Sequence, residues 1–183
     1  SATTMSGKTK PELGVILVDE IKAVGKTGIA GELVLADGLV ASVKFDSAWP
    51  IAEGGYYDIE TKAKEGGDGS FVQVASLPKG QGLDTLKKDW FLQQICNVEG
   101  RYGAYGAPYD VKVLSDTKDE SADSRTLEVS FTALGPMTEV DRRAIVTANA
   151  LQLFSISFVS MPFRVSKKRA LPSFDAATMA WSC

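Results

Sequence analysis

Few side chains in this sequence combine a reactive type with a telling spacing. Glu60 and Glu128 each fall in a segment of strand character, and either could serve a pocket as general acid or base. Nothing in their spacing brings them together. Val24-Gly-Lys-Thr27 resembles part of a phosphate-binding loop, but that pattern needs a glycine five positions before Gly25, where Glu20 stands. A carboxylate there would repel phosphate, so a chance GKT in a surface loop is the better account. Tyr102, Tyr105 and Tyr109 are interleaved with Gly103 and Gly106. They could form a stacking platform for bases or sugars, or they could shield the edge of a sheet while the glycines let the chain turn. Only Arg101 and Lys112 lie close by, too few cations for a groove that tracks a nucleic acid.

Histidine is absent from the 183 residues. That removes Ser-His-Asp and Cys-His nucleophiles, HExxH zinc sites and every mechanism that needs imidazole near neutral pH. The two cysteines, Cys96 and Cys183, cannot close a tetrahedral zinc site unless carboxylates join them. They form a disulfide if the fold brings their Cα atoms within about 7 Å. Otherwise one is a small buried hydrophobe and the other a free thiol. The acidic residues Asp116, Asp119, Glu120 and Asp123 lack the DxDxDG spacing of a calcium loop. No cofactor is expected. The only basic concentrations are Arg142-Arg143 and Lys167-Lys168-Arg169. As solvated faces they need no explanation, and as candidate docking residues they would steer the chain onto an acidic partner.

Apolar residues make up 44% of the chain and charged residues 23%, which suits a folded domain and is too apolar for a disordered one. The net charge of −3 argues against non-specific nucleic-acid binding. The longest apolar stretch, Leu151 to Phe163, is broken by Gln152, Ser155, Ser157 and Ser160 and is shorter than the roughly 20 residues a membrane helix needs.

The elements that must position these residues read as follows. Leu13 to Val18 is a strand or a docking segment, and Lys22 to Gly31, with three glycines, reads as loop. Gly66-Gly67-Asp68-Gly69 is the clearest turn and joins Tyr56–Lys64 to Ser70–Ser76 as a hairpin. Leu83, Leu86, Trp90 or Phe91, and Ile95 recur at helical steps and predict a helix over Leu83–Cys96. Four strands follow: Asp110–Leu114, Arg125–Ala133, Arg143–Ala148 and Leu151–Met161, with the acidic Ser115–Ser124 stretch as a solvated loop. Ser173 could cap a last helix in which Phe174, Ala177 and Trp181 share a face. Strands segregated from helices predict an α+β fold with an antiparallel sheet flanked by helices. Residues 1–39 are expected to run as an extended segment across a partner, ahead of a domain over 40–183.

The order and phrasing of these segments resemble the PsbP-like family. Val43-Lys-Phe-Asp-Ser-Ala-Trp49-Pro50 resembles its strand running into a Trp-centred turn. A strand at Phe71 to Ala75, the helix and the Tyr102 to Gly106 loop follow in the family's order. Arg125-Thr-Leu-Glu-Val-Ser-Phe131 and Arg142-Arg-Ala-Ile-Val-Thr147 come next. The C-terminus from Met161 fits that pattern loosely. The resemblance implies an α-β-α sandwich in the chloroplast thylakoid lumen, with a start at Ser1-Ala2-Thr3 that suits removal of a targeting peptide. It implies a non-enzymatic role: an extrinsic subunit or assembly factor, peripheral to the membrane, that docks on photosystem I or II and its antenna and stabilises it. Tyr102, Tyr105, Arg142, Arg143, Lys167, Lys168 and Arg169 are the candidate docking residues. The alternative is a ligand-binding or carboxylate-based enzyme domain outside photosynthesis.

Overall fold

The computed structural model describes residues 15–35, 38–52, 59–64, 68–96, 105–121, 123–151, 154–161 and 174–180. Strands dominate them. β1 (Val15–Val24), β2 (Gly28–Leu35) and β3 (Leu39–Asp46) are followed by β4 (Ile59–Lys62) and β5 (Gly69–Ser76). After the single described helix, α1 (Lys88–Cys96), come β6 (Tyr109–Asp119), β7 (Ser124–Leu134), β8 (Glu139–Leu151), β9 (Phe154–Met161) and β10 (Phe174–Ala180). Two antiparallel sheets result, one of four strands in the order β1-β2-β3-β10 and one of six in the order β4-β5-β9-β8-β7-β6.

Side-chain alternation builds the packing. In β2 and β3 the residues Ile29, Leu33, Leu35, Ala41, Val43 and Phe45 are buried, and they meet Ile59, Val72 and Val74 of β4 and β5 in one core. Gly31 lies within that contact, where a Cβ would come 2.8 Å from Ile59 Cδ1, so the sheets approach closely because no side chain stands there. A chain of hydroxyls ties the sheets at the end of β3: Ser47 Oγ donates to Thr61 Oγ1 at 2.9 Å, and Thr61 Oγ1 lies 2.6 Å from Ser70 Oγ. On the other face of the six-stranded sheet, Leu127, Val129, Phe131, Ala144, Val146 and Phe71 pack under Leu83, Leu86 and Phe91. Burying each of those three covering side chains is worth about 1.5–3 kcal/mol.

The expected α+β fold, an antiparallel sheet flanked by helices as an α-β-α sandwich, is not what forms. Among the described residues only one face of the six-stranded sheet carries a helix, of nine residues, and a second sheet covers part of the other. The predicted C-terminal helix is the strand β10, paired in unbroken register with β3 from Phe174↔Phe45 to Ala180↔Leu39. A helical spacing of Phe174 and Ala177 is outvoted there by the unpaired backbone edge that β3 would otherwise expose. Residues 22–31, read as loop from their glycines, form a hairpin, with Val24↔Gly28 closing the β1–β2 ladder around a Gly25-Lys26-Thr27 turn. The GKT is therefore a turn, and Thr27 Oγ1 donates to Asp46 Oδ1 at 3.3 Å.

Other expectations agree with the structure. β4 and β5 pair as the expected hairpin, from Ile59↔Val72 to Lys62↔Gly69. The four late strands are present, the first three longer than predicted and the last, β9, shorter. β6 continues through Asp119, so the acidic loop shrinks to the residues between Asp119 and Ser124.

Candidate docking site

The site is built at the end of the six-stranded sheet where β6 begins. Gly106 has φ +123°, and a Cβ there would come 2.9 Å from Leu134 Cδ1, so the loop before β6 lies against the end of β7. Asp110 has φ +51°, a conformation that Asp tolerates better than most residues, and the ladder shifts register between Tyr109 and Lys112. Tyr109 is thereby set opposite Thr132, which is opposite Asp141, and Leu134 is opposite Glu139 in the next row. These five residues share the sheet face opposite α1. Tyr109 OH donates to Glu139 Oε2 at 2.5 Å. That hydrogen bond, above all, pushes the phenol up to about 12, helped by the negative charge of Glu139, Asp110 and Asp141.

Apolar side chains stay in the open here. Tyr105 is 59% exposed and Met137, in the β7–β8 turn, 90%. Tyr109 and Leu114 are exposed as well. Of the five exposed large apolar residues among the described ones, Tyr105, Tyr109 and Leu114 belong to β6 or the loop before it, Met137 to the β7–β8 turn, and Val24 to the other sheet.

Of the basic candidates, Arg142 and Arg143 are engaged. Arg142 Nη1 meets Asp68 Oδ1 at 3.3 Å and ties β8 to the β4–β5 turn, while Arg143 Nη1 meets Glu128 Oε1 at 3.4 Å. Of the tyrosine cluster, Tyr105 and Tyr109 come to this surface, and Tyr102 lies outside the described residues. So do Lys167, Lys168, Arg169 and Cys183. Cys96 is the last residue of α1, and its pairing with Cys183 therefore lies outside what is described. Glu60 and Glu128 stand on β4 and β7 with β5, β9 and β8 between them. At the usual strand spacing that is roughly 19 Å, too far for two carboxylates to work on one bond.

Two openings lie elsewhere. A groove of about 560 Å³ runs between the β1–β2 turn and the segment after β3, lined by Lys26, Ile29, Trp49 and Pro50. A hollow of about 300 Å³ is lined by Asp84, Lys118, Asp119, Glu120 and Asp123. Among the described residues no group of three or more His, Cys, Asp or Glu could hold a metal ion, and no helix is long and apolar enough to cross a membrane.

The most heavily bonded side chain was missed in the sequence. Arg125 Nε and Nη2 grip Asp116 at 2.9 and 2.7 Å, and Nη1 donates to the Leu83 and Leu86 carbonyls at 2.8 and 2.5 Å. Its guanidinium also lies 4.8 Å from the Phe91 ring centre. The signal was available: Arg125 shares the odd-numbered parity of Leu127, Val129 and Phe131, the buried face of β7.

Compared with known proteins, the chain matches no family model, no curated protein and no solved structure.

Proposed function

We propose that the chain is a non-enzymatic docking subunit, a β scaffold that offers a preformed surface to a larger assembly. The observation that carries this reading is the exposure of Tyr105 and Tyr109 at the start of the edge strand β6, of Leu114 within it, and of Met137 in the neighbouring β7–β8 turn. Exposed apolar residues scattered singly need no explanation, whereas several of them at one end of a sheet are how interaction surfaces look. The carboxylate-based enzyme reading is disfavoured by the four strand spacings between Glu60 and Glu128.

The assembly nominated is a photosystem, I or II, on its lumenal side. That address rests on the resemblance of the 43–50, 102–106, 125–131 and 142–147 segments alone, since the helix-flanked fold that went with it is not adopted. The test is to mix the purified chain with isolated photosystem I and photosystem II particles and sediment them. The expected result is retention on one particle type at fixed stoichiometry, with release as salt shortens the screening length. Failure to sediment with either particle overturns the assignment.

A further inference from the structure

We propose that the surface formed by Tyr105, Tyr109 and Met137 is the docking contact itself, and that it takes a cationic, partly apolar peptide segment in which Lys or Arg alternates with aliphatic residues. This rests on the docking reading above and adds the chemistry of the partner.

The charge around the surface sets the sign. Asp110, Glu139 and Asp141 surround Tyr109, and none of the three forms an ion pair among the described residues. Asp141 accepts a hydrogen bond from Thr132 Oγ1 at 3.0 Å, and Glu139 accepts one from Tyr109, so both carboxylates are held in place. Arg142 and Arg143 are occupied by Asp68 and Glu128. Lys112, opposite Ser130 in the next row, is the nearby cation left without an ion pair among the described residues. Three carboxylates against one lysine leave this end of the sheet acidic.

The class of occupant follows from geometry. The carboxylates do not converge on one point as metal ligands would, which favours an extended cationic partner over a single ion. An anionic lipid surface or a nucleic acid would be repelled. Two exposed phenol rings are partners of the kind Lys and Arg stack on, and exposed Met137 is a flexible, polarisable contact for aliphatic side chains. Strand addition along β6 is disfavoured, because register shifts between Tyr109 and Lys112 and between Val113 and Ser115 break up its outer edge.

The test uses the full chain and three fluorescein-labelled twelve-residue peptides, of alternating Lys and Leu, Glu and Leu, and Lys and Ser, read by anisotropy. The Lys-Leu peptide is expected to bind more tightly than either other peptide and to weaken as salt is raised. The pair Glu139→Gln with Asp141→Asn, and separately the pair Tyr105→Ser with Met137→Ser, should each weaken it about tenfold or more. All four residues are exposed, so an unchanged melting temperature separates lost binding from lost folding. Equal binding of the Glu-Leu peptide, no binding of Lys-Leu, or variants that bind like the parent would overturn the proposal. The same variants in the sedimentation assay separate the two claims. Particles that still hold both pairs defeat the surface assignment and leave the docking reading standing. Peptide binding without particle binding does the reverse.

Discussion

Arg125 and Asp116 face each other across β7 and β6 in a two-pronged contact, with side chains only 3% and 11% exposed. The guanidinium then reaches past the sheet to the carbonyls of Leu83 and Leu86, so one side chain fastens the segment before α1 to the strands beneath it. Regular helix begins only at Lys88, five residues later than the predicted Leu83, and the turn ahead of it gives the Leu83 and Leu86 carbonyls to Arg125.

Removing that fastener should be severe. Arg125→Ala leaves the part-buried Asp116 without its cation and two carbonyls without this donor, and is expected to lower stability by about 2–4 kcal/mol in urea unfolding. Arg125→Lys should recover little, because a single ammonium cannot reproduce the planar fork. If the lysine variant unfolds at the parent's midpoint, the fork geometry is not what matters.

Asp116 gives the same contact a pH dependence. The Arg125 hydrogen bonds hold its carboxyl below the usual carboxylate range, against the opposing effect of burial, with Lys88 and Lys118 helping. A depressed folded pKa means the contribution is fully present above the unfolded value of about 4 and is lost as pH falls through the lower folded value. Thermal melts should therefore show the parent losing stability on acidification below about pH 4, and Asp116→Asn losing less over the same interval.

Tyr109 should titrate late for a tyrosine. Its phenol is pushed up to about 12 by Glu139, so the contact is intact below the ordinary value near 10 and is lost as pH rises through the folded one. Phenolate absorbance followed against pH should show a late step, and Glu139→Gln should bring it back toward the ordinary tyrosine value. A parent titration with no late step contradicts the clasp.

Gly31 predicts a compensating pair. A methyl at this position would press on Ile59 Cδ1, so Gly31→Ala should destabilise by about 1–3 kcal/mol. Ile59→Val removes that δ-carbon, and the double variant should be less destabilised than the sum of the two singles. Strict additivity would mean that the two sheets yield elsewhere.

What could be read in the sequence was what neighbours in the chain decide. The alternation of Leu127 to Phe131 and the glycine turn after Lys64 located β7 and the β4–β5 hairpin, because strand period and turn chemistry are local. The docking surface was half visible. Tyr105 and Tyr109 stood out by type, but Glu139 is thirty positions from Tyr109 and only the ladder brings them together. Asp116 looked like a solvated loop residue for the same reason: its partner lies across a hairpin and declared itself only by parity. The C-terminal strand was misread because Phe174 and Ala177 do repeat at a helical step, and nothing within seven residues announces that β3 needs a neighbour.

That last pairing governs the order in which the molecule can be assembled. β3 is synthesised early, β10 only after the whole six-stranded sheet, and they lie side by side. On a ribosome, the flank of β3 that β10 will cover stays bare while most of the polypeptide emerges, the interval in which an unpaired strand is most open to capture by another chain. Nascent copies should consequently depend on chaperones or on low expression more than finished ones do, and clipping β10 should harm the sheet built from the opposite end of the sequence.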